Sequence, residues 1–148
     1  GIKYTNREIA EMFGKTFEVP SDPNSGGAVV IKDISVFSYC EHHLALMYDM
    51  KVDVAYVPRG RVLGLSKIAR ICDMAAKRLQ LQERLGRDVA EIISLAALSP
   101  DVGVRIEGCH SCMTSRGIKN VSSKTITKTY FGAFKDDASL QKLLEDRV

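Results

Sequence analysis

Two short clusters of thiols and imidazoles lie far apart in the chain, at residues 39–43 (Tyr-Cys-Glu-His-His) and 109–112 (Cys-His-Ser-Cys), and together they hold all three histidines. A catalytic zinc takes three protein ligands from Cys, His or carboxylate and leaves a fourth position for water. Cys40 and His43 have the Cys-x-x-His spacing by which one turn supplies two ligands, and Cys112 is the third. The pattern predicts a Zn²⁺ site. The alternative is ordinary buried cysteines and partly exposed histidines.

The alternation in the second cluster selects one of its two cysteines. Residues 101–110 predict a strand, and continuing its period of two places His110 and Cys112 on one face and Cys109 on the other. We therefore expect Cys112 to bind the metal and Cys109 to be a bystander. Redox sensitivity is the lesser alternative for Cys109.

The two remaining imidazoles are candidates for proton transfer. A bound Zn²⁺ lowers the pKa of its water toward neutrality and so makes hydroxide available as a nucleophile. His42 follows the ligand Cys40 by two positions, and His110 precedes Cys112 by two, so both are close enough to transfer protons. Support of the ligands by His42 and a structural role for His110 are the alternatives.

A hydroxyl and two cations open a predicted helix at residues 65–70 (Leu-Ser-Lys-Ile-Ala-Arg). Backbone donors and the helix dipole favour an anion there. Lys67 and Arg70 share a face, so a polyphosphate can engage both, with Ser66 beside them. A solvated helix face is the alternative. Arg116, just beyond the metal cluster, is a second candidate for binding phosphate.

Gln82 and Glu83 open the next predicted helix and are candidate substrate-binding residues. The Glu83 carboxylate suits a donor edge such as the N1 and 2-amino groups of guanine. The alternative is an acidic residue that serves the helix dipole.

The elements that must position these residues follow from hydrophobic periodicity and capping signals. We predict a helix over 5–15, strands over 28–39, 47–57, 101–110 and 123–134, long helices from about 66 and from 82 to 98, and a short polar C-terminal helix. Thr5 and Glu8 are spaced as a capping box, Ser66 is the expected N-cap of its helix, and Leu79 ends the apolar stripe of that helix. This order predicts an α+β domain, an antiparallel sheet with two helices packed on one face. Residues 1–27 form a short N-terminal helix and loop, and residues 28–148 form the catalytic domain.

Composition limits the class of protein. With 148 residues, 45% hydrophobic and 26% charged, the chain can bury one core, and its net charge of +3 argues against a nucleic-acid tail. We therefore expect no nucleic acid as a partner. No apolar run reaches membrane-spanning length, so we expect no membrane as a partner either. The four cysteines, one of them the isolated Cys72, do not form a secreted disulfide pattern, which favours the cytoplasm.

Read together, these segments resemble the GTP cyclohydrolase I family. The matching stretches, in order, are residues 40–44, 62–70, 80–85, 110–113 and 116–117, with 122–125 similar to a strand of the family. The resemblance implies a tunnelling fold (T-fold) in a ring-forming homo-oligomer with active sites between subunits. It implies zinc-dependent hydrolysis of GTP at guanine C8, formate release, ribose rearrangement and closure to 7,8-dihydroneopterin triphosphate.

The resemblance also assigns roles to residues. Zinc is bound by Cys40, His43 and Cys112. Protons are transferred by His42 and His110, Ser66 serves the ribose rearrangement, and Glu83 anchors the guanine. The triphosphate is held by Lys67, Arg70 and Arg116.

One segment departs from the family pattern. Residues 5–13 resemble its Thr-Pro-x-Arg-x-Ala-x-Met segment, but Glu8 and Glu11 stand where the family places an Arg and a Lys near the triphosphate. Carboxylates repel phosphate unless Arg7 substitutes, so a purine nucleotide with fewer phosphates is an alternative substrate. Otherwise Glu8 simply completes the capping box.

A non-catalytic, zinc-stabilised T-fold module that binds a pterin or purine is the alternative from another class. The joint presence of His42, His110, Ser66 and Glu83 favours the enzyme, because a binding module has no use for proton transfer.

Overall fold

A computed structural model of the chain describes residues 4–13, 16–18, 27–40, 46–77, 79–110 and 124–145. The helices are α1 (Asn6–Phe13), α2 (Leu65–Ala76), α3 (Gln82–Ala97), a 3-10 helix (Gly132–Lys135) and α4 (Ala138–Lys142). The strands are β1 (Thr16–Glu18), β2 (Val29–Cys40), β3 (Leu46–Tyr56), β4 (Arg61–Leu63), β5 (Leu79–Gln80), β6 (Val102–His110) and β7 (Thr125–Phe131).

The main sheet has five strands in the order β5-β2-β3-β6-β7. All pairs are antiparallel except β2 with the two-residue β5, which is parallel. The four long strands were each predicted, and the α+β class is confirmed. The short strands β1 and β4, which pair with each other, and β5 were not predicted, because two or three residues carry no readable period.

One face of the sheet holds the principal core under α2 and α3. Apolar residues alternate along β3, and Met50, Val52, Val54 and Tyr56 are all buried on this face. The Tyr56 hydroxyl accepts a hydrogen bond from the Leu63 N–H at 2.9 Å. Burial raises the pKa of Tyr56, although this hydrogen bond opposes the shift. The buried residues of α2 and α3 belong to the same core as these residues of β3, so the prediction of two helices packed on one face is confirmed.

The opposite face is partly covered by the C-terminal elements. Phe134 and Leu144 are fully buried there with Ala55. The absence of a side chain at Gly103 leaves room for them, because a Cβ at this position would lie 2.6 Å from a ring carbon of Phe134. The predicted strand over 123–134 is too long at its end, because Phe134 lies in the 3-10 helix rather than in β7.

The predicted capping box of α1 is confirmed. The Thr5 N–H donates to Glu8 Oε1 at 3.2 Å, and the Glu8 N–H donates to Thr5 Oγ1 at 3.1 Å. Asn6 then ties α1 to α3 through a 3.1 Å hydrogen bond to Asp88.

Two predictions about α2 are wrong. Its N-cap is Gly64, which makes no side-chain capping bond, and Ser66 lies inside the first turn. The predicted apolar stripe holds for Ile68, Ile71, Cys72 and Ala75, but Leu79 lies in β5 and pairs with Tyr39. Pairing with the end of β2 outweighs helical continuation at that point.

Among the helices that the structure describes, none is both long and apolar enough to cross a membrane.

Candidate functional site

One end of the sheet gathers the strand ends that carry the predicted chemistry. β2 ends at Cys40, opposite Gln80, and β6 ends at His110, opposite Met47 of β3. β2 and β6 flank β3, so Cys40 and His110 lie on strands about 10 Å apart. Met47 pairs with both Ser38 and His110, so Cys40 lies two residues further along the sheet. A bulge in β3 between Tyr48 and Lys51 alters the register next to this end. The topology thus brings the two clusters of thiols and imidazoles to one end of the sheet.

The predicted zinc site lies mostly beyond the described residues. His43 and Cys112 are outside them, as are the proton-transfer candidate His42 and the phosphate candidate Arg116. Cys40 and His110 are described by their backbones. Within the described ranges, no group of three His, Cys, Asp or Glu side chains could hold a metal ion.

Cys72 has the properties of a core residue. It lies on the buried face of α2 and is fully buried. Burial, with a smaller contribution from Asp73, raises the pKa of its thiol to about 12. Such a thiol stays protonated and unreactive at neutral pH.

Glu83 and Gln82 begin α3 at the same end of the sheet but face different surroundings. Glu83 is exposed and lines a cavity of about 440 Å³ between α3 and β7, where Arg87, Thr127 and Thr129 are among the lining residues. Gln82 is buried, and its amide nitrogen donates to acceptors on β6 and β7. The Glu83 carboxylate is therefore accessible to a ligand in this cavity. The Gln82 amide nitrogen instead donates its hydrogen bonds to the protein itself.

The other residues of this cavity carry a weaker signal in the sequence. Arg87 follows Glu83 by four positions, so the two share a helix face, a spacing that suggested their proximity. Thr127 and Thr129 alternate along β7 with a period of two, but nothing in the pattern indicates that α3 covers them.

Ser66, Lys67 and Arg70 are not brought together with this cluster within one chain. They occupy the first turns of α2, which begins beside the Tyr56 end of β3, as the Leu63–Tyr56 hydrogen bond shows. β3 is about 30 Å long, and α2 runs from that end back to β5. The predicted hydroxyl and cations therefore lie toward the opposite end of the sheet from Cys40.

A second cavity of about 320 Å³ bears on the acidic substitutions in α1. Arg7, Glu11 and Arg61 are among its lining residues, whereas Glu8 is engaged in the capping box. The interpretation of Glu8 as a capping residue is therefore confirmed, and Glu11 lines the same cavity as two arginines.

A row of buried charge on the face of the sheet opposite α2 and α3 was not predicted. Asp53 alternates with the apolar residues of β3, a position typical of an exposed side chain, yet it is only 6% exposed and Arg105, its partner on β6, only 4%. Arg105 Nη1 lies 3.8 Å from Asp53 and 3.7 Å from Glu107. The Asp33 N–H also donates to Asp53 at 2.8 Å, from a bulge where Asp33 has φ of 62°. Periodicity reports polarity and cannot report that opposite charges on neighbouring strands bury each other.

The fold class is shared with a solved structure. The crystal structure of the archaeosine synthase QueF-Like in the apo form matches with a TM-score of 0.60 at 23% sequence identity, covering 74% of this chain and 98% of that one. This likeness shows a common α+β fold.

The family follows from sequence. The sequence model of GTP cyclohydrolase I matches residues 1–148. GTP cyclohydrolase 1 of Ruminiclostridium cellulolyticum is 60% identical over 148 residues, which is 97% of this chain and 75% of that protein. The Clostridium acetobutylicum GTP cyclohydrolase 1 is 55% identical over 141 residues, covering 95% and 72%. The chain belongs to the GTP cyclohydrolase I family, as its motifs predicted, and it is an enzyme.

Proposed function

We propose that the protein hydrolyses GTP at guanine C8 in a zinc-dependent reaction, releases formate, rearranges the ribose and closes the product to 7,8-dihydroneopterin triphosphate. The observation that supports this proposal is that β2 ends at Cys40 and β6 ends at His110 at the same end of the sheet, where α3 begins with Gln82 and Glu83. Family membership supports the same activity.

The donor set fits zinc. Cys40, His43 and Cys112 offer two thiolates and one imidazole, a soft tetrahedral set that leaves one position open. When bound, Zn²⁺ supplies an activated water and polarises the bond that is attacked. Around it, His42 and His110 hold and transfer protons.

Glu83 is the residue that recognises the base in this proposal. Its carboxylate, exposed in the α3–β7 cavity, accepts hydrogen bonds from the N1 and 2-amino groups of guanine. Ser66 serves the ribose, and Lys67, Arg70 and Arg116 bind the phosphates.

A homo-oligomer with sites between subunits accounts for the separation of these groups. Ser66, Lys67 and Arg70 lie toward the end of the sheet opposite Cys40 and Glu83, so one chain does not bring both sets to one nucleotide. A second copy that presents the start of its α2 completes the site.

The first test compares GTP, GDP and GMP with zinc-loaded protein by following formate release and dihydropterin absorbance. Dihydropterin from GTP alone is the expected result, because Glu8 is engaged in its capping box and Glu11 shares its cavity with Arg7 and Arg61. Preference for GDP or GMP would instead favour the purine nucleotide with fewer phosphates. Formate without dihydropterin would contradict the ribose rearrangement.

A second test addresses the metal. Removing zinc with a chelator should abolish formate release, and adding Zn²⁺ back should restore it. Cys112→Ala should lose stoichiometric zinc, whereas Cys72→Ala, which alters a buried thiol of the core, should keep it. Stoichiometric zinc in Cys112→Ala would refute the ligand set.

A further inference from the structure

Gln82 stands out because a fully polar side chain begins α3 and yet is almost completely buried. Only 2% of it is exposed, while the adjacent Glu83 faces the α3–β7 cavity. The N-cap residue Leu81 makes no side-chain capping bond, so the start of the helix is not fixed in the usual way. A buried amide needs hydrogen-bond partners, and the identity of those partners indicates its role.

The partners of the Gln82 amide lie on two strands. Nε2 is 3.1 Å from the Ile106 carbonyl oxygen, 2.9 Å from the Thr125 carbonyl oxygen and 3.3 Å from Thr127 Oγ1. Its two N–H groups are therefore shared among three acceptors on β6 and β7. One side chain cross-links the first turn of α3 to the strand pair beneath it.

In the same region, α3 packs closely against β6 and β7. A Cβ at Gly86, one turn further along α3, would lie 2.8 Å from Thr129 Oγ1. A Cβ at Gly108 on β6 would lie 3.1 Å from Gln82 Oε1. Small residues thus bring α3 close to the sheet, and Gln82 fixes the helix in that position.

This cross-link joins the two walls of the cavity. Glu83 and Arg87 belong to the α3 wall, and Thr127 belongs to the β7 wall and is itself an acceptor of Gln82. We propose that Gln82 is a positioning residue, which holds Glu83 at a fixed distance from the β7 wall and thereby sets how selectively the purine is recognised. The inference rests on the proposed role of Glu83. It differs from the expectation that Gln82 itself contacts substrate.

The test uses a measure of base recognition that is independent of how much protein is folded. Inosine triphosphate lacks the 2-amino group of GTP, so the ratio of its inhibition constant to the KM for GTP reports the contact made by Glu83. Loss of folded enzyme lowers the apparent kcat but leaves this ratio unchanged. The ratio is measured in the parent, Gln82→Met, Glu83→Gln and the double variant.

The expected result is that Gln82→Met lowers the ratio by about tenfold, the scale of one hydrogen bond to a charged group. In the Glu83→Gln background the same substitution should lower it no further, because Gln82 acts through Glu83. Gln141→Met is the matched control: the Gln141 amide also donates to two carbonyls, those of Phe134 and Lys135, away from the cavity, and its loss should leave the ratio unchanged.

Two results would overturn the inference while leaving the proposed function standing. An unchanged ratio in Gln82→Met would show that Gln82 serves the fold alone. An equal decrease in both backgrounds would show that Gln82 contacts the base directly. An unchanged ratio in Glu83→Gln would remove Glu83 from base recognition, and with it both that part of the proposed function and this inference.

Discussion

Gly108 lies where β6, β3 and α3 approach one another closely. A Cβ at this position would lie 2.9 Å from Met50 Cγ and 3.1 Å from Gln82 Oε1. Met50 and Gln82 are both buried, so neither can move away without disturbing the core or the hydrogen bonds to β6 and β7. Gly108 is thus required by packing, two residues before His110.

Gly108→Ala should therefore lower the free energy of unfolding by about 1–3 kcal/mol, the usual cost of inserting a methyl group into a packed core. Chemical denaturation measures the change. The matched control is Gly27→Ala, because a Cβ there meets no atom within 4 Å, and we expect a change within about 0.5 kcal/mol. Equal stability of the Gly108→Ala variant and the parent would show that α3 can shift away from β6.

The site residues differ in how far the sequence could predict them. The spacing within residues 39–43 and 109–112 predicted that the two clusters meet, and strand pairing places the backbones of Cys40 and His110 at the same end of the sheet. The zinc ligand set itself stays a prediction. The different surroundings of Gln82 and Glu83 were not predictable. Their difference depends on acceptors at residues 106, 125 and 127, and those contacts are set by the packing of α3 on the sheet.

At the scale of elements, Asp101 joins the segments that meet where β6 begins. Its backbone oxygen accepts from the Val57 N–H at 3.0 Å, and its carboxylate accepts from the Ala133 N–H at 2.8 Å and pairs with Arg59. Burial alone would raise the pKa of Asp101, but the Ala133 N–H and the Arg59 guanidinium outweigh it and hold the pKa below the ordinary value of 3.8. The ionised carboxylate thus links β3 and its following turn to the C-terminal cover of the sheet.

Asp101→Asn should lower the free energy of unfolding at pH 7 by about 1–3 kcal/mol, the scale of hydrogen bonds to a charged group. Since the folded-state pKa lies below the unfolded one, this contribution is present above pH 3.8 and is lost as the pH falls through the folded-state value. Urea denaturation at pH 7 and at steps toward pH 3 should therefore show the parent and variant converging in acid.

The control for this series is Asp73→Asn. Asp73 pairs with Lys77 across an exposed turn of α2, with both side chains about half exposed, so its removal should change stability by no more than about 0.5 kcal/mol. A stability difference between the parent and Asp101→Asn that persists unchanged in acid would refute the role of the Asp101 charge.

The elements themselves were largely readable from the sequence, and the exceptions have physical causes. α3 and the four long strands followed from periodicity because each buries one face. The start of α2 was misassigned because Ser66 resembles a capping residue, whereas backbone geometry at Gly64 begins the helix. β5 could not be predicted from the sequence, because its two residues form a strand only by pairing with Tyr39 and Cys40.

At the scale of the whole molecule, the two sets of proposed site residues lie toward opposite ends of one sheet. α3 begins with Glu83 at the end where β2 and β6 finish, and α2 begins with Ser66 toward the other end. The 12 residues of α2 span about 18 Å, so Ser66 lies about that far from the β5 end of the sheet. The proposed function brings both sets to one nucleotide by drawing them from different copies of the chain.

Complementation between inactive variants tests this arrangement. Ser66→Ala and His110→Ala should each lack dihydropterin formation when purified alone. When the two are co-expressed with different tags and mixed oligomers are isolated, a shared site is intact where one copy supplies Ser66 and its neighbour supplies His110. Random assembly makes this so in about one quarter of the sites, so about a quarter of the parent activity should return. If both residues act within one chain, every site lacks one of them and the mixed oligomers stay inactive.

Mixed oligomers of Glu83→Gln with His110→Ala are the control. Both residues lie at the same end of one chain, so these oligomers should recover far less activity if a single copy supplies both.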